Sequence, residues 1–244
     1  MNTQDFKPFI KSWEEIYLRT PPRFGAKTEK EMKTIRVIVA CEESQAVCKA
    51  FRDRGFEAFS CDIEPCSGGH PEWHFQEDIF TVLRREPRFD LMIAHPPCTF
   101  LSNAGAVRLY PKAGELDPVR YMKGAEAKMF FMQLLEWPIE HVAVENPVSS
   151  KVFEMPECDQ EIQPYQFGHP YTKKTRLWLR NLPYLSPTNE VIPAGPYIAS
   201  GTSRKDRSKY GCAKQNRSKT FEGIAQAMAE QWGNFLKKKY ENRN

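Results

Sequence analysis

The chain has 244 residues, of which 41% are hydrophobic and 27% are charged, and its formal net charge is +4. This length suits one α/β domain with at most a small lobe, and the composition excludes disorder of the whole chain. No apolar run approaches the roughly 20 residues of a membrane span, and the N-terminus has no apolar centre of the signal-peptide type. We therefore expect a cytoplasmic monomer without a membrane partner.

The seven cysteines form an odd set without a Cys-x-x-Cys pair, which favours reduced thiols over a disulfide framework. One spacing could in principle bind zinc, and it comprises Cys61, Cys66, His70 and His74. Cys61 lies inside a predicted strand, however, and the spacing fits no common zinc finger. We predict no metal site.

Residues 1–34 show no sustained hydrophobic period and are predicted to be an extension outside the domain. From Ile35 onwards, short buried runs alternate with segments of helical spacing, as in a doubly wound, mostly parallel sheet. Segment 101–122 has few apolar anchors and is expected to be a mobile loop. The predicted strands are 35–40, 56–63, 89–97 and 141–147, and the predicted helices are 44–55 and 124–137.

Segments 161–168 and 172–182 flank the turn residues Gly168, His169 and Pro170. They are predicted to form an antiparallel hairpin at the end of the sheet. Residues 221–239 return to helical spacing, with lysines near the end where the helix dipole favours them. The predicted fold class is therefore α/β, with a Rossmann-like, mostly parallel sheet and a C-terminal antiparallel hairpin.

Polar groups follow four of the predicted strands, at the carboxyl edge where open α/β sheets bind ligands. They are Cys41, Glu42 and Ser44, then Asp62, then His95 to Cys98, then Glu145 and Asn146, with Asp78 in an intervening turn. An acid at the end of a second strand can cap a helix, but it also commonly accepts hydrogen bonds from ribose hydroxyls. Asp62 therefore suits a nucleoside-containing cofactor.

Cys98 is the candidate nucleophile. A lone cysteine is usually a small buried hydrophobic residue. Here Pro96 and Pro97 fix the backbone just before the thiol, at a strand end where donors and cations can lower its pKa. Taken singly, Glu145 is equally well explained as a turn cap and Arg176 as a surface charge, so the constellation carries more weight than its members.

These motifs resemble those of the DNA (cytosine-5) methyltransferase family, in particular its short bacteriophage versions. The Pro-Cys motif resembles His95 to Cys98, the Glu-Asn-Val motif resembles Glu145 to Pro147, and the Gln-x-Arg-x-Arg strand resembles Thr172 to Arg176, in the same order. The family's last helix, which touches the cofactor, resembles residues 221–236. The resemblance covers about residues 35–235 and implies a methyltransferase sheet in a domain at 35–244.

The resemblance implies methyl transfer from S-adenosylmethionine to carbon 5 of cytosine in double-stranded DNA. Cys98 is then expected to attack carbon 6, Glu145, with Asn146 beside it, to hold or protonate ring nitrogen 3, and Arg176 to bond the ring carbonyl. Thiolate addition makes carbon 5 enamine-like and therefore nucleophilic. The target base must first leave the helical stack.

The same resemblance implies the binding residues. Asp62 is expected at the cofactor ribose, Asp78 and Ile79 at its adenine, and Pro96 near its methionine end. The remaining cofactor residues expected are Cys41, Glu42, Ser44, Ile63 and Ile224. The loop with Arg108, Tyr110 and Lys112 is expected to clamp DNA, and the further basic DNA contacts are Lys173, Lys174, Arg204, Lys205 and Arg207.

The chain departs from the family pattern in three places. Residues 41–45 contain no glycine where the family has a Gly-rich loop, and Thr172 and Lys174 replace its Gln and first Arg. Only a short basic stretch at about 181–216 occupies the place of the target-recognition domain. A recognition site of one or two base pairs beside the cytosine is therefore expected.

Two alternatives stay open. The first is a catalytically inactive DNA-binding protein on a methyltransferase scaffold, which binding of S-adenosylmethionine would argue against. The second is the same chemistry on RNA or on a free cytidine nucleotide, which substrate competition would distinguish.

Overall fold

The computed structural model describes residues 34–86, 88–106, 108–112, 114–198 and 218–242. Within these residues the chain forms an α/β fold around one seven-stranded mixed sheet. Residues 1–33 of the predicted extension and 199–216 of the predicted recognition segment lie outside the described residues. No helix among the described residues has the length and apolar character needed to cross a lipid bilayer.

The strands and helices alternate along the chain. The strands are β1 Arg36–Ala40, β2 Glu57–Cys61, β3 His74–Phe75, β4 Leu91–Ala94, β5 His141–Pro147, β6 Gln160–Ile162 and β7 Thr175–Arg180. The longer helices are α1 Ala46–Arg52, α2 Ile79–Arg85, α3 Pro118–Glu136 and α4 Glu222–Glu241, and Asn103–Ala106 forms one further helical turn.

The strand order in the sheet is β3-β2-β1-β4-β5-β7-β6. The first five are parallel, whereas β7 is antiparallel to both β5 and β6. The predictions of a mostly parallel sheet and of antiparallel pairing near its C-terminal end are thus confirmed. The predicted short hairpin turn is wrong, because β6 ends at Ile162 and residues 164–166 form a 3-10 helix in a longer connection to β7. Because the order reverses direction between β1 and β4, the carboxyl ends of these two strands flank the switch point where open sheets bind ligands.

Successive residues of the central strands face two different apolar cores, as the alternation of side chains in a strand requires. Val37 and Val39 of β1 lie in the core under α1 and α4. Ile38 and Ala40 lie in the core under α2 and α3. Burial on both sides explains why the central strands are continuous apolar runs rather than alternating ones.

The segment after β4 departs from the expected mobile loop. Leu101, Leu109 and Leu116 are almost completely buried, so they anchor it to the core under α2 and α3. Helix α3 begins at Pro118, six residues before the predicted start at 124, because the Asp117 carboxylate accepts a hydrogen bond from the Arg120 amide (3.0 Å). Proline at the first helical position has no N–H to leave unpaired.

At the amino edge of the sheet, His141 connects the start of β5 to the C-terminal helix. The ring is fully buried, with Nδ1 2.7 Å from the Asn181 carbonyl oxygen. Its Nε2 lies 3.1 Å from the Lys239 ammonium, which also pairs with Glu140. Both ring nitrogens thus have partners.

Candidate active site

His95 and Glu145 meet at the carboxyl edge of the sheet. Strands β4 and β5 pair in parallel, with Ala94 opposite Val144, so the residue after each strand reaches the same point. The His95 amide donates to the Ala40 carbonyl oxygen (2.9 Å), and its Nδ1 lies 3.0 Å from Glu145 Oε2. The pair is largely buried, with side-chain exposures of 8% for His95 and 19% for Glu145.

The loop that carries Cys98 is tied to the segment that follows β5. The Asn103 amide donates to the Val148 carbonyl (3.0 Å), and the Ser150 amide donates to the Leu101 carbonyl (2.7 Å). The Asn146 side-chain amide reaches the Pro96 carbonyl at 3.4 Å. These bonds hold the predicted Pro-Cys and Glu-Asn motifs side by side.

Cys98 is half-buried, at the start of the turn in which the Ser102 amide donates to its carbonyl (3.0 Å). Cys48 and Cys61 belong instead to the apolar cores. Burial raises the pKa of the Cys61 thiol to about 12. Since the thiolate is the nucleophilic form, Cys98 is a better candidate than these core cysteines.

Burial and neighbouring charges shift the pKa values of both His95 and Glu145. Burial opposes the imidazolium, but the hydrogen bond and charge of Glu145, together with the charge of Glu42, raise the pKa of His95 above its ordinary value. Burial likewise opposes the Glu145 carboxylate, but His95 and then Lys173 lower the pKa of Glu145. Both shifts favour the form of the pair in which His95 is protonated and Glu145 is ionised.

Three buried polar atoms at this junction have no hydrogen-bond partner, namely His95 Nε2, Asn146 Oδ1 and Ser149 Oγ. Among the described residues, Trp137 Nε1 is the only other buried side-chain nitrogen or oxygen without a hydrogen-bond partner. Buried polar atoms normally have partners, and leaving one unpaired costs about 1–3 kcal/mol. Three of the four unpaired side-chain atoms among the described residues thus lie at the junction of the two motifs, where a water molecule or another polar group could complete their bonds.

Arg176 lies on the other face of the sheet from Glu145. In the antiparallel pair of β5 and β7, Arg176 is opposite Asn146, whereas Glu145 is opposite Leu177. The Arg176 guanidinium is bonded to the Glu161 carboxylate (2.8 Å). The structure therefore does not bring this predicted catalytic residue to Glu145.

Lys173 is the cation that acts on the buried pair. Its charge influences both His95 and Glu145. Its ammonium nitrogen lies 5.6 Å from the centre of the Phe221 ring, just before α4. From the sequence, Lys173 is predicted to contact DNA, and His95 has no predicted role although it lies three residues before the candidate nucleophile.

The predicted cofactor residues lie in two environments. Asp62 follows β2 with a half-buried carboxyl, and burial raises its pKa. Beside it, the Ile63 side chain is 74% exposed. Asp78 caps α2 through the Thr81 amide (3.0 Å), while Ile79 and Ile224 are buried in the two cores.

The loop after β1 adopts left-handed backbone without glycine. Cys41 and Gln45 have φ values of 59° and 57°, a region that favours glycine. Glu42 is buried and accepts hydrogen bonds from the Val47 and Cys48 amides (2.7 and 3.1 Å). Ser44 lies beside this turn, so the predicted set Cys41, Glu42 and Ser44 does surround the carboxyl end of β1.

Gly68 packs against this loop from the following segment. A Cβ at Gly68 would lie only 2.5 Å from both the Ser44 carbonyl oxygen and Gln45 Cβ. Gln45 is fully buried and bonds both the amide and the carbonyl of His70 (3.1 and 2.8 Å). The close packing of this segment on the loop after β1 therefore requires glycine at position 68.

The Cys and His residues of the possible zinc spacing have separate partners. Cys61 and Cys66 donate to the Glu77 carbonyl and to Gln45 Oε1, at 3.4 and 3.0 Å. His70 stacks on Trp73, and His74 bonds Ser60. Throughout the described part of the chain, no group of three or more His, Cys, Asp or Glu residues is arranged to hold a metal ion.

The predicted DNA contacts are only partly described. Arg108, Tyr110 and Lys112 are exposed on the loop that follows Cys98. Lys112 pairs with Glu115 (3.6 Å), and Lys174 pairs with Glu161 (2.9 Å); exposed pairs of this kind contribute about 0–1 kcal/mol, so phosphates can replace the carboxylates. Outside the described residues lie Arg204, Lys205 and Arg207.

No protein-family model matches this chain, and the search of curated proteins gives no significant match.

Proposed function

We propose that this protein transfers a methyl group from S-adenosylmethionine to carbon 5 of cytosine in double-stranded DNA, with Cys98 as covalent nucleophile. One observation carries the proposal: the loop of the half-buried Cys98 is hydrogen-bonded to the strand end that presents Glu145. The sheet order, with β7 reversed beside β5, supports a Rossmann-like methyltransferase scaffold.

The residues of the site suit addition to a pyrimidine. When the Cys98 thiolate adds to carbon 6, the ring electrons shift, and negative charge develops at ring nitrogen 3. Glu145 and its buried partner are placed to neutralise this charge, which is absent in the ground state, so the site favours the transition state. After carbon 5 is methylated, a base removes its proton and the thiolate is expelled.

Lys173 takes the role that the family resemblance gave to Arg176. Its charge acts on Glu145, whereas Arg176 faces away and is paired with Glu161. A cation beside the ring carbonyl stabilises the same developing negative charge. The charge influence of Lys173 on Glu145 and the pairing of Arg176 with Glu161 therefore favour Lys173 over Arg176 for contact with the base.

The chemistry of the first two strand ends fits the cofactor. S-adenosylmethionine supplies an electrophilic methyl group, and it carries a sulfonium and an ammonium. Asp62 and Asp78 both act electrostatically on Cys41, and Glu43 acts on Asp62, so acidic groups converge at this end of the crevice. The Asp62 carboxylate suits ribose hydroxyls, and exposed Ile63 suits an apolar contact with adenine.

The test is methyl transfer by the full chain. Double-stranded DNA, RNA and cytidine nucleotide are incubated separately with isotopically labelled S-adenosylmethionine, then digested and analysed by mass spectrometry. We expect 5-methylcytosine in the double-stranded DNA, no product with Cys98→Ala, and normal product with Cys158→Ala, a matched half-buried cysteine. Label on another atom, or activity in Cys98→Ala, contradicts the proposal.

The same experiment addresses the alternatives. Methylated cytosine found only in RNA, or only in the cytidine nucleotide, would show that this molecule and not double-stranded DNA is the substrate. No product with any substrate, in a protein that binds DNA but not S-adenosylmethionine in equilibrium dialysis, would favour the inactive DNA-binding protein.

A further inference from the structure

We propose that His95 stores, in its hydrogen bond to Glu145, the proton that Glu145 presents to ring nitrogen 3 of the target base. The inference rests on the function proposed above and adds a positioning residue to it. The family resemblance implies catalytic roles for Cys98, Glu145, Asn146 and Arg176, but none for His95. The case for it comes from the surroundings of the ring.

The position of His95 suits this role. Its backbone is tied to the end of β1 through the Ala40 carbonyl, and its Nδ1 is bonded to Glu145 on the neighbouring strand. The opposite nitrogen, Nε2, is buried and has no partner. Nδ1 is therefore the ring nitrogen through which His95 acts on Glu145, and Nε2 is left for a further polar partner such as water.

The charges around the ring determine where the proton rests. Glu145 faces it from β5, Glu42 from the loop after β1, and Lys173 from the segment before β7. The two carboxylates favour the imidazolium, and the lysine opposes it. In the proposed resting state the proton is on His95 and Glu145 is ionised, although addition at carbon 6 requires a proton at nitrogen 3.

The transfer can be written as a balanced step. As the sulfur–carbon bond forms at carbon 6, the carbon 5–carbon 6 double bond shifts towards carbon 4, and nitrogen 3 receives an electron pair. The Nδ1 proton of His95 passes to the Glu145 carboxylate, and the carboxyl gives it to nitrogen 3. His95 is left neutral and Glu145 ionised. When the thiolate is expelled, the proton returns by the same route, so no external acid is consumed.

The test compares His95→Asn with His141→Asn. The asparagine amide can retain a hydrogen bond to Glu145 but cannot supply a proton. Single-turnover methylation at saturating DNA and S-adenosylmethionine is measured from about pH 6 to about pH 9.5. We expect His95→Asn to be slower by about 100-fold, the lower range for general acid catalysis, with its alkaline loss of rate moved to lower pH. His141→Asn should keep the wild-type profile.

A uniform decrease at every pH, with the profile unchanged, would show that His95 is merely structural and would overturn the inference. Trapping on DNA with 5-fluorocytosine separates this result from failure of the proposed function, because fluorine blocks removal of the carbon 5 substituent. Wild-type protein that neither methylates cytosine nor forms the adduct overturns both proposals. Wild-type protein that does both, beside an unshifted variant, overturns only the role of His95.

A second measurement needs no turnover. In protein labelled with carbon-13 at the histidine Cε1 positions, NMR follows the charge of His95 with pH. We expect His95 to stay charged to higher pH in the wild type than in Glu145→Gln, which keeps the shape of the side chain but removes its charge. Identical titrations in the two proteins would contradict the inference.

Discussion

The two buried histidines of the central strands lie at opposite edges of the sheet and differ in how completely they are bonded. His141, at the amino edge, has the Asn181 carbonyl at one ring nitrogen and the Lys239 ammonium at the other. His95, at the carboxyl edge, has Glu145 at one nitrogen and no partner at the other. Two largely buried rings, with side-chain exposures of 0% for His141 and 8% for His95, thus differ in their hydrogen bonding.

The difference lies in what each ring can still do. An ammonium only donates, so His141 Nε2 must accept, and its Nδ1 carries the proton towards the Asn181 carbonyl. That tautomer is fixed by its neighbours. His95 is bonded to a carboxylate, which accepts a proton in either charge state of the ring, and its charge can change without a change of partner. The bonding of His141 suits a structural role, whereas the bond of His95 to a carboxylate suits the proton transfer proposed for it.

The largest effect is expected when the carboxyl edge loses its charge. Glu145→Gln should reduce the rate of methyl transfer by about 1,000-fold, because both the proton and the charge opposite nitrogen 3 are lost. The rate is measured in single turnover on double-stranded DNA. Glu161→Gln is the matched control, since Glu161 is an exposed carboxylate that pairs with Lys174 and Arg176. Equal effects in the two variants would contradict the assignment of the site.

The sequence predicted the elements that are defined by local pattern. The continuous apolar runs of β1, β4 and β5 and the spacing of α4 locate those elements without tertiary information. Helix α3 begins before its predicted start because Asp117-Pro118, itself a helix start signal, precedes the apolar spacing on which the prediction rests. Strand β3 has only two residues and depends on its partner β2, so no local pattern marks it.

The site was predictable in its composition but not in its pairings. Cys98, Glu145 and Asn146 follow strands, and strand ends converge whatever the details of packing. The contact of His95 with Glu145 depends on the register of β4 against β5. The direction of Arg176 depends on the register of β7, where a shift of one residue moves a side chain to the other face.

Replacing Lys173 and Arg176 separately by methionine tests which of these two cations acts at the carboxyl edge. Lys173→Met should reduce the rate by about 10- to 100-fold, the loss of a charge-assisted contact of about 1.5–3 kcal/mol. Arg176→Met should reduce it much less, because Arg176 faces away from Glu145. Steady-state rates on one DNA substrate decide between them. A larger loss in Arg176→Met would restore the assignment implied by the family resemblance.

The amino edge should respond in stability rather than in rate. His141→Asn removes the acceptor of the Lys239 hydrogen bond and the ring contact with Phe235. We expect the free energy of unfolding to fall by about 1–3 kcal/mol, as for other lost buried hydrogen bonds. Urea denaturation measures this value, and activity per folded molecule should be unchanged. A change in the rate of the folded protein would contradict the division between the two edges.

The smallest effect expected is a pH dependence of stability that belongs to the carboxyl edge alone. Glu145 has a pKa lowered from its ordinary value of 4.5, so its contribution is present above that pH and is lost as the pH falls through the folded pKa. His95 has a pKa raised from 6.5, so its contribution is present below that pH and is lost as the pH rises through the folded pKa.

The pair should therefore stabilise the fold most between pH 4.5 and 6.5. In that window, urea denaturation should show the largest destabilisation of His95→Asn relative to wild type, by about 1 kcal/mol, and the difference should shrink towards alkaline pH. A constant difference across the range would mean that His95 carries no raised pKa, and His95 and His141 would then be equivalent structural residues.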